Sequence, residues 1–419
     1  AQFLIFDASY YNSMKLTAAI SQQNVFALLW HSGFLALAMV FMDVDTIIPA
    51  MLVDAGGSAV QIGILTAIML GGSSFTQLVY APFISNFNYK KKFLLLGINS
   101  RIFSLLGLGI MLYFSSLIDE TNIIWMIFIL ITIFSFGGAF ANVSYTDILG
   151  KSILQESRKP FFSIRQLITG VILFAAAFFA KKVLTISEYP TNYGYMFFIA
   201  FGALLMASLG FWKLKEVIPS RLEIKNPNHF FRLIKSEWKQ NQKLKYFLGF
   251  INTMGISISL LPFIILYAKD FYQIQNADTG SFLLYKIMGS VATGFILFFL
   301  AGKYKYRYLL YGGAVLSLSL PVLTLLSSGI LSFIIIFLIG GVIYTTYTIA
   351  MNGVLLEISA NENRTLYTGI AGAGNILPAL FPLLGGWIIK LYGFLPFFIL
   401  FMVVILSSLF FIYKINCKK

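Results

Sequence analysis

KKKFLLLG, Lys90–Gly97, returns in altered form as KYRYLLYG, Lys305–Gly312. In both, a basic cluster runs straight into a long apolar stretch. Two more segments recur in the same order and at nearly the same spacing. PAML at Pro49 is matched by PFII at Pro262, and NVSYTD (Asn142–Asp147) by NGVLLE (Asn352–Glu357). An arginine follows each member of the last pair, Arg158 and Arg364. Three ordered matches at one spacing read as a duplication of half the chain. Parallel duplication is a feature of membrane transport folds, whose sites lie between the repeats near the bilayer midplane.

Composition agrees with a membrane setting. Of 419 residues 58% are hydrophobic and only 11% are charged, against roughly 25% charged in soluble domains. Apolar runs of about 20 residues, enough to cross a hydrocarbon core, recur along the whole chain. They predict an all-α protein with about twelve spans: 25–51, 58–84, 93–116, 123–149, 163–186, 193–213, 246–268, 279–301, 308–327, 331–357, 365–390 and 393–414. The runs are continuous and lack the alternating segments of about ten residues that build membrane strands.

Lysine and arginine crowd one set of alternate loops. The other set holds only Lys181, Lys182, Lys269 and Lys390. This asymmetry predicts both termini in the cytoplasm and a multi-pass protein of the cytoplasmic (inner) membrane. The net charge of +14 therefore reflects topology, and no nucleic-acid partner is expected. Residues 1–24 show no signal-peptide pattern. Cys417 is the single cysteine, which excludes an internal disulfide framework.

The longest polar segment, 214–245, divides the chain into bundles of six spans each, 1–213 and 246–419. Within it Phe230, Leu233, Ile234 and Trp238 share one helical face, with Arg232, Lys235 and Lys239 towards the other. That pattern suits a basic amphipathic helix over 228–245 lying on the anionic inner leaflet. A soluble amphipathic linker is the alternative.

Two acids interrupt the first span in FMDVDTIIPAML, Phe41–Leu52. A carboxylate at the bilayer centre costs roughly 2.5–3.5 kcal/mol on insertion scales. The repeat places Ile256 and Ile258 opposite Asp43 and Asp45, so the acids are not needed to build such a helix. Pro49 and Pro262 occur in both halves and read as scaffold, bending the first helix of each. In a continuous helix two positions differ by about 200°, so only one acid can face a given cavity. Asp43 shares its face with Ser32, Met39, Thr46 and Ala50 and is the coupling candidate; depth places Asp45 at the solvated outer interface.

Arg101 and Lys286 lie inside spans, and their repeat counterparts are near Leu316 and Gly71. Cations at such depth need an anionic partner, either Asp43 or a substrate carboxylate or phosphate. His31 is a candidate proton relay or a hydrogen-bonded helix residue. Gln77, Asn142, Tyr145, Asn252, Asn352 and Asn375 can line a path or join helices. No phosphate-binding loop or metal-ligand cluster is present, so no cofactor, metal or enzymatic activity is expected.

PFISNFNYKK, Pro82–Lys91, falls between the second and third spans. It resembles the signature loop of the major facilitator superfamily, keeping the basic pair Lys90–Lys91. Pro82, Asn86 and Tyr89 stand at that signature's glycine, aspartate and glycine. The resemblance covers essentially the whole chain and implies two pseudo-symmetric six-helix bundles that rock in alternating access. It also implies a cytoplasmic gate, Asp147 with Arg158 or Arg165 and Glu357 with Arg364. The expected function is a monomeric secondary transporter for a small organic solute, leaning towards anions and coupled to protons. Efflux or flipping of amphipathic drugs or lipids is the alternative, and a transporter-fold sensor the second.

Overall fold

The computed structural model describes residues 16–220, 232, 235–237, 241–299, 305–358, 370–372 and 374–415. Among these residues every regular element is helical. α1, Ala18–Phe41, opens on Thr17, whose hydroxyl accepts from the Ile20 amide. The predicted first span does not continue as one helix. It stops at Phe41, turns through Met42–Thr46, and resumes as α2, Ile47–Asp54.

The break is built by Asp43. Its Oδ1 accepts from the Asp45 amide (3.1 Å), the Thr46 amide (2.9 Å) and the Thr46 hydroxyl (2.8 Å). Short polar side chains that satisfy their own downstream amides compete with helix and favour turns. Pro49 lies in the first turn of α2, where its missing N–H has no intrahelical duty. It begins a helix rather than bending one, which corrects the expectation.

α3 (Ala59–Ser85), α4 (Lys91–Tyr113), α5 (Glu120–Ser152), α6 (Gln155–Leu184) and α7 (Thr191–Lys213) follow. The seventh span repeats the architecture of the first. α8, Gln242–Met254, gives way to a 3₁₀ turn, Gly255–Ser259, and resumes as α9, Leu261–Tyr272, with Pro262 in its first turn. α10 (Asn276–Phe299), α11 (Tyr306–Leu325), α12 (Ile330–Ile358), α13 (Ile376–Tyr392) and α14 (Phe394–Ile415) complete the order. Among the described residues eleven spans are long and apolar enough to cross a membrane; α3 adds a shorter apolar stretch, Ala59–Gly72.

α3 packs on α13 through small residues. A Cβ on Gly63 would fall 2.3 Å from the Pro382 carbonyl oxygen, and one on Gly386 would fall 2.5 Å from that of Ala59. Only glycine allows this backbone approach. The contact joins a helix before the 214–245 segment to one after it, at the face where α2 ends and α3 begins. An ion pair of Lys269 with Asp54 joins the two halves at the same face, and Asp54 also accepts from the Tyr193 hydroxyl (2.8 Å).

Most of the expected amphipathic helix over 228–245 lies outside the described residues.

Candidate functional site

A cavity of 370 Å³ opens among α1, α3, α4, α5, α6 and α7, and every residue of its wall belongs to the first six spans. Among the described residues its polar wall includes His31, Arg101, Asn142, Tyr145 and Arg165, and no acidic side chain. Arg101 and Arg165 each sit about 15 Å along their helices, roughly half a bilayer from the helix start. The Arg101 guanidinium lies 4.2 Å from the centre of the Phe134 ring, a cation–π contact that satisfies no N–H. Its Nε is buried without a hydrogen-bond partner. Arg165 lies 5.9 Å from the Tyr145 ring centre. Neither arginine forms an ion pair with a described residue. The tyrosine hydroxyl is likewise buried and unpartnered.

His31 is fixed from two sides. Its ring stacks on Phe211 with centroids 3.7 Å apart. Its Nδ1 lies 3.1 Å from the Ala207 carbonyl oxygen.

Above the cavity the α1–α2 turn divides its residues between two faces. Met42 and Val44 form part of the cavity wall. Asp43 and Asp45 instead reach Lys286 of α10, at 2.7 Å and 2.5 Å. All three are withdrawn from solvent, with Asp45 and Lys286 each 6% exposed. Two sequence expectations are thereby corrected. Helical phase does not separate the acids, because the helix is interrupted between them and α1. Asp45 is also not solvated at an interface; it shares the lysine with Asp43.

For Asp147 the expected gate pair is not the one found. Asp147 binds Lys90 (3.0 Å), Lys151 (2.8 Å) and the Ser220 hydroxyl (2.7 Å), not Arg158 or Arg165. Arg158 donates to the backbone carbonyls of Gly150 and Ile153, and Arg165 belongs to the cavity. Glu216 extends the cluster, accepting from the amides of Lys90 and Lys91 and pairing with Lys151 at 2.7 Å. The retained basic pair of the signature loop thus pins the chain that leaves α7. Glu357 is exposed near the end of α12, and Arg364 lies outside the described residues.

Asn252 joins helices: its side chain bonds the Gly374 carbonyl (2.6 Å) and the amides of Ile376 (3.1 Å) and Leu377 (2.8 Å). Asn375 precedes α13 with a buried, unpartnered Oδ1. Gln77 lies in α3, and its side chain is outside the described set. Sequence reasoning missed the Asp54–Lys269–Tyr193 cluster. The available signal was Lys269 itself, one of few cations on the sparse face.

Eleven described spans long and apolar enough to cross a membrane, broken first and seventh spans, and a polar cavity walled by the first six spans fit a membrane transporter of the two-repeat type. Residues 30–316 match the Major Facilitator Superfamily model, and the chain belongs to that family. No curated protein matches. Solved structures with the same fold include the nucleoside transporter NupG, at TM-score 0.62 and 12% identity, covering 94% of this chain and 98% of that one. A POT family transporter in complex with a thioalcohol-conjugated peptide aligns at 0.67 and 12%, covering 94% and 96%. A bacterial metal transporter aligns at 0.59 and 14%, covering 96% and 99%. These likenesses concern the fold; the family and these neighbours are transporters, not enzymes.

Proposed function

We propose that this protein is a proton-coupled secondary transporter that carries a small organic anion across the cytoplasmic membrane by alternating access. The observation that carries this reading is the cavity wall, where Arg101 and Arg165 stand without an acid. Uncompensated cations at such depth are costly unless a partner arrives. A carboxylate or phosphate on the substrate is that partner. It would take bidentate hydrogen bonds from the guanidinium groups, of which the Arg101 Nε is buried without a partner.

Coupling is assigned to Asp43, Asp45 and Lys286. Two carboxylates against one ammonium leave an excess negative charge in a buried site when both are ionised, and a proton removes it. Because the acids come from the first half and the lysine from the second, protonation loosens a clamp between the halves. The excess of basic residues in the terminus-side loops supports a cytoplasmic location for both termini.

The test is counterflow in proteoliposomes, using pools of lactate, succinate and glycerol 3-phosphate, alongside neutral and cationic solutes, with and without a pH gradient. Anion uptake should dominate and fall at least about tenfold in Arg101→Gln, the loss of one charged hydrogen bond. Asp43→Asn with Asp45→Asn should transport without responding to the gradient. Preference for neutral or cationic solutes would sink the anion reading, and an unaltered gradient response would sink the coupling.

A further inference from the structure

Resting on the anion-transport reading of the same cavity, we infer that His31 accepts a hydrogen bond from the substrate. The cargo is then an organic anion that also carries a neutral donor, a hydroxyl or amide N–H. The inference begins at the other side of the ring. Nδ1 lies 3.1 Å from the Ala207 carbonyl oxygen. A carbonyl can only accept, so the hydrogen is on Nδ1 and Nε2 of the neutral ring carries a lone pair.

The ring cannot easily turn to exchange these roles. It is 5% exposed and stacked on Phe211 with planes 23° apart. The backbones behind it meet at Gly210, where a Cβ would fall 2.3 Å from the Ala27 carbonyl oxygen and 3.3 Å from the His31 Cβ. Among the described residues no group donates to Nε2, and His31 is one of the residues that line the cavity.

Charge keeps the lone pair available. A second proton on the ring would put a third positive charge beside Arg101 and Arg165 in a wall with no acid. The relay expected from sequence also fails on its inner side, because the Ala207 carbonyl cannot take up a proton. The wall therefore offers two guanidinium groups for an anion and one lone pair for a donor. An ammonium donor is disfavoured for the same reason as imidazolium, which leaves hydroxylated or amide-bearing anions.

Matched pairs test this: mandelate against phenylacetate, 3-hydroxybutyrate against butyrate, and glycerol 3-phosphate against propyl phosphate. Binding to the purified wild-type protein, by calorimetry and by shift of the unfolding midpoint, should favour the hydroxylated member of at least one pair by about tenfold. His31→Asn keeps a donor for the Ala207 carbonyl but loses the acceptor; its preference should fall to within about twofold. His31→Gln, whose amide oxygen reaches further, should recover part of it. The wild-type measurement needs no variant to fold. Equal binding within every pair, or full preference in His31→Asn, overturns the donor inference while an effect of Arg101→Gln preserves the anion reading. Absence of binding by all six, or indifference to Arg101→Gln, overturns both.

Discussion

The first and seventh spans are built alike and equipped differently. Each is two helices separated by a short turn, Met42–Thr46 in one and Gly255–Ser259 in the other, and each resumes with a proline in its first turn. In the first span the turn carries Asp43 and Asp45, which hold Lys286. In the seventh the corresponding positions are Ile256, which is buried, and Ile258. The interruption belongs to the scaffold of both halves, whereas the charge is a specialisation of one.

The largest effect should come from breaking the charge alone. Lys286→Met leaves two buried carboxylates without a cation and should destabilise the protein by about 3–5 kcal/mol, read as a fall in unfolding midpoint in detergent. A midpoint unchanged from wild type would mean that the acids are not held by the lysine. Next in size, Gly63→Ala forces a methyl against the Pro382 carbonyl of the other half and should cost about 1–3 kcal/mol. Labelling of a cysteine introduced near Asp54 should then become faster, since the halves no longer close there.

A smaller loss is expected from Lys269→Met, about 1 kcal/mol, because Asp54 is partly exposed and keeps the Tyr193 hydroxyl. A loss as large as that of Lys286→Met would erase the distinction between the two inter-half pairs. The smallest change should come from making the turn of the first span uncharged, like that of the seventh. Asp43→Asn, Asp45→Ile and Lys286→Leu together remove the buried ion cluster while an amide oxygen at position 43 still accepts from the amides at 45 and 46, a change that is often near neutral, within about 1–2 kcal/mol. The triple variant should fold and lose its response to a pH gradient. Failure to fold would show that the charges are structural after all.

What could be read from the sequence follows from which forces act locally. Span positions are set by runs of apolar residues, and among the described residues nine of the twelve expected spans correspond to single helices; 365–390 lies partly outside them, and its helix Ile376–Tyr392 follows a non-helical Asn375. The interruptions were not legible in the same way. Met42, Val44, Ile256 and Ile258 are apolar, so hydropathy runs through them unchanged. The turn at Asp43 depends on its own hydrogen bonds to the Asp45 and Thr46 amides. Treating the span as continuous then misplaced Asp45 and wrongly separated it from Asp43.

For the site, Arg101, His31, Tyr145 and Lys286 stand out in sequence because polar groups are rare in spans. Their grouping was not visible. Arg101 and Lys286 look equivalent on paper, yet one meets two acids and the other meets none. Asp147 was assigned to a nearby arginine, but its partners are Lys151, one turn on, and Lys90 and Ser220, far away in sequence. Pairing at long range is decided by packing, which a single sequence leaves implicit.

The α1–α2 turn has a consequence for how this protein can diverge. Even-numbered Met42 and Val44 touch the cavity, while odd-numbered Asp43 and Asp45 touch Lys286. Substitutions at 42 and 44 can therefore retune what the cavity accepts without disturbing the acids. Inserting or deleting one residue between Phe41 and Ile47 would exchange the two sets, delivering carboxylates to the cavity and methionine to the lysine. Drift in identity at 42 and 44 should be tolerated; drift in length should not.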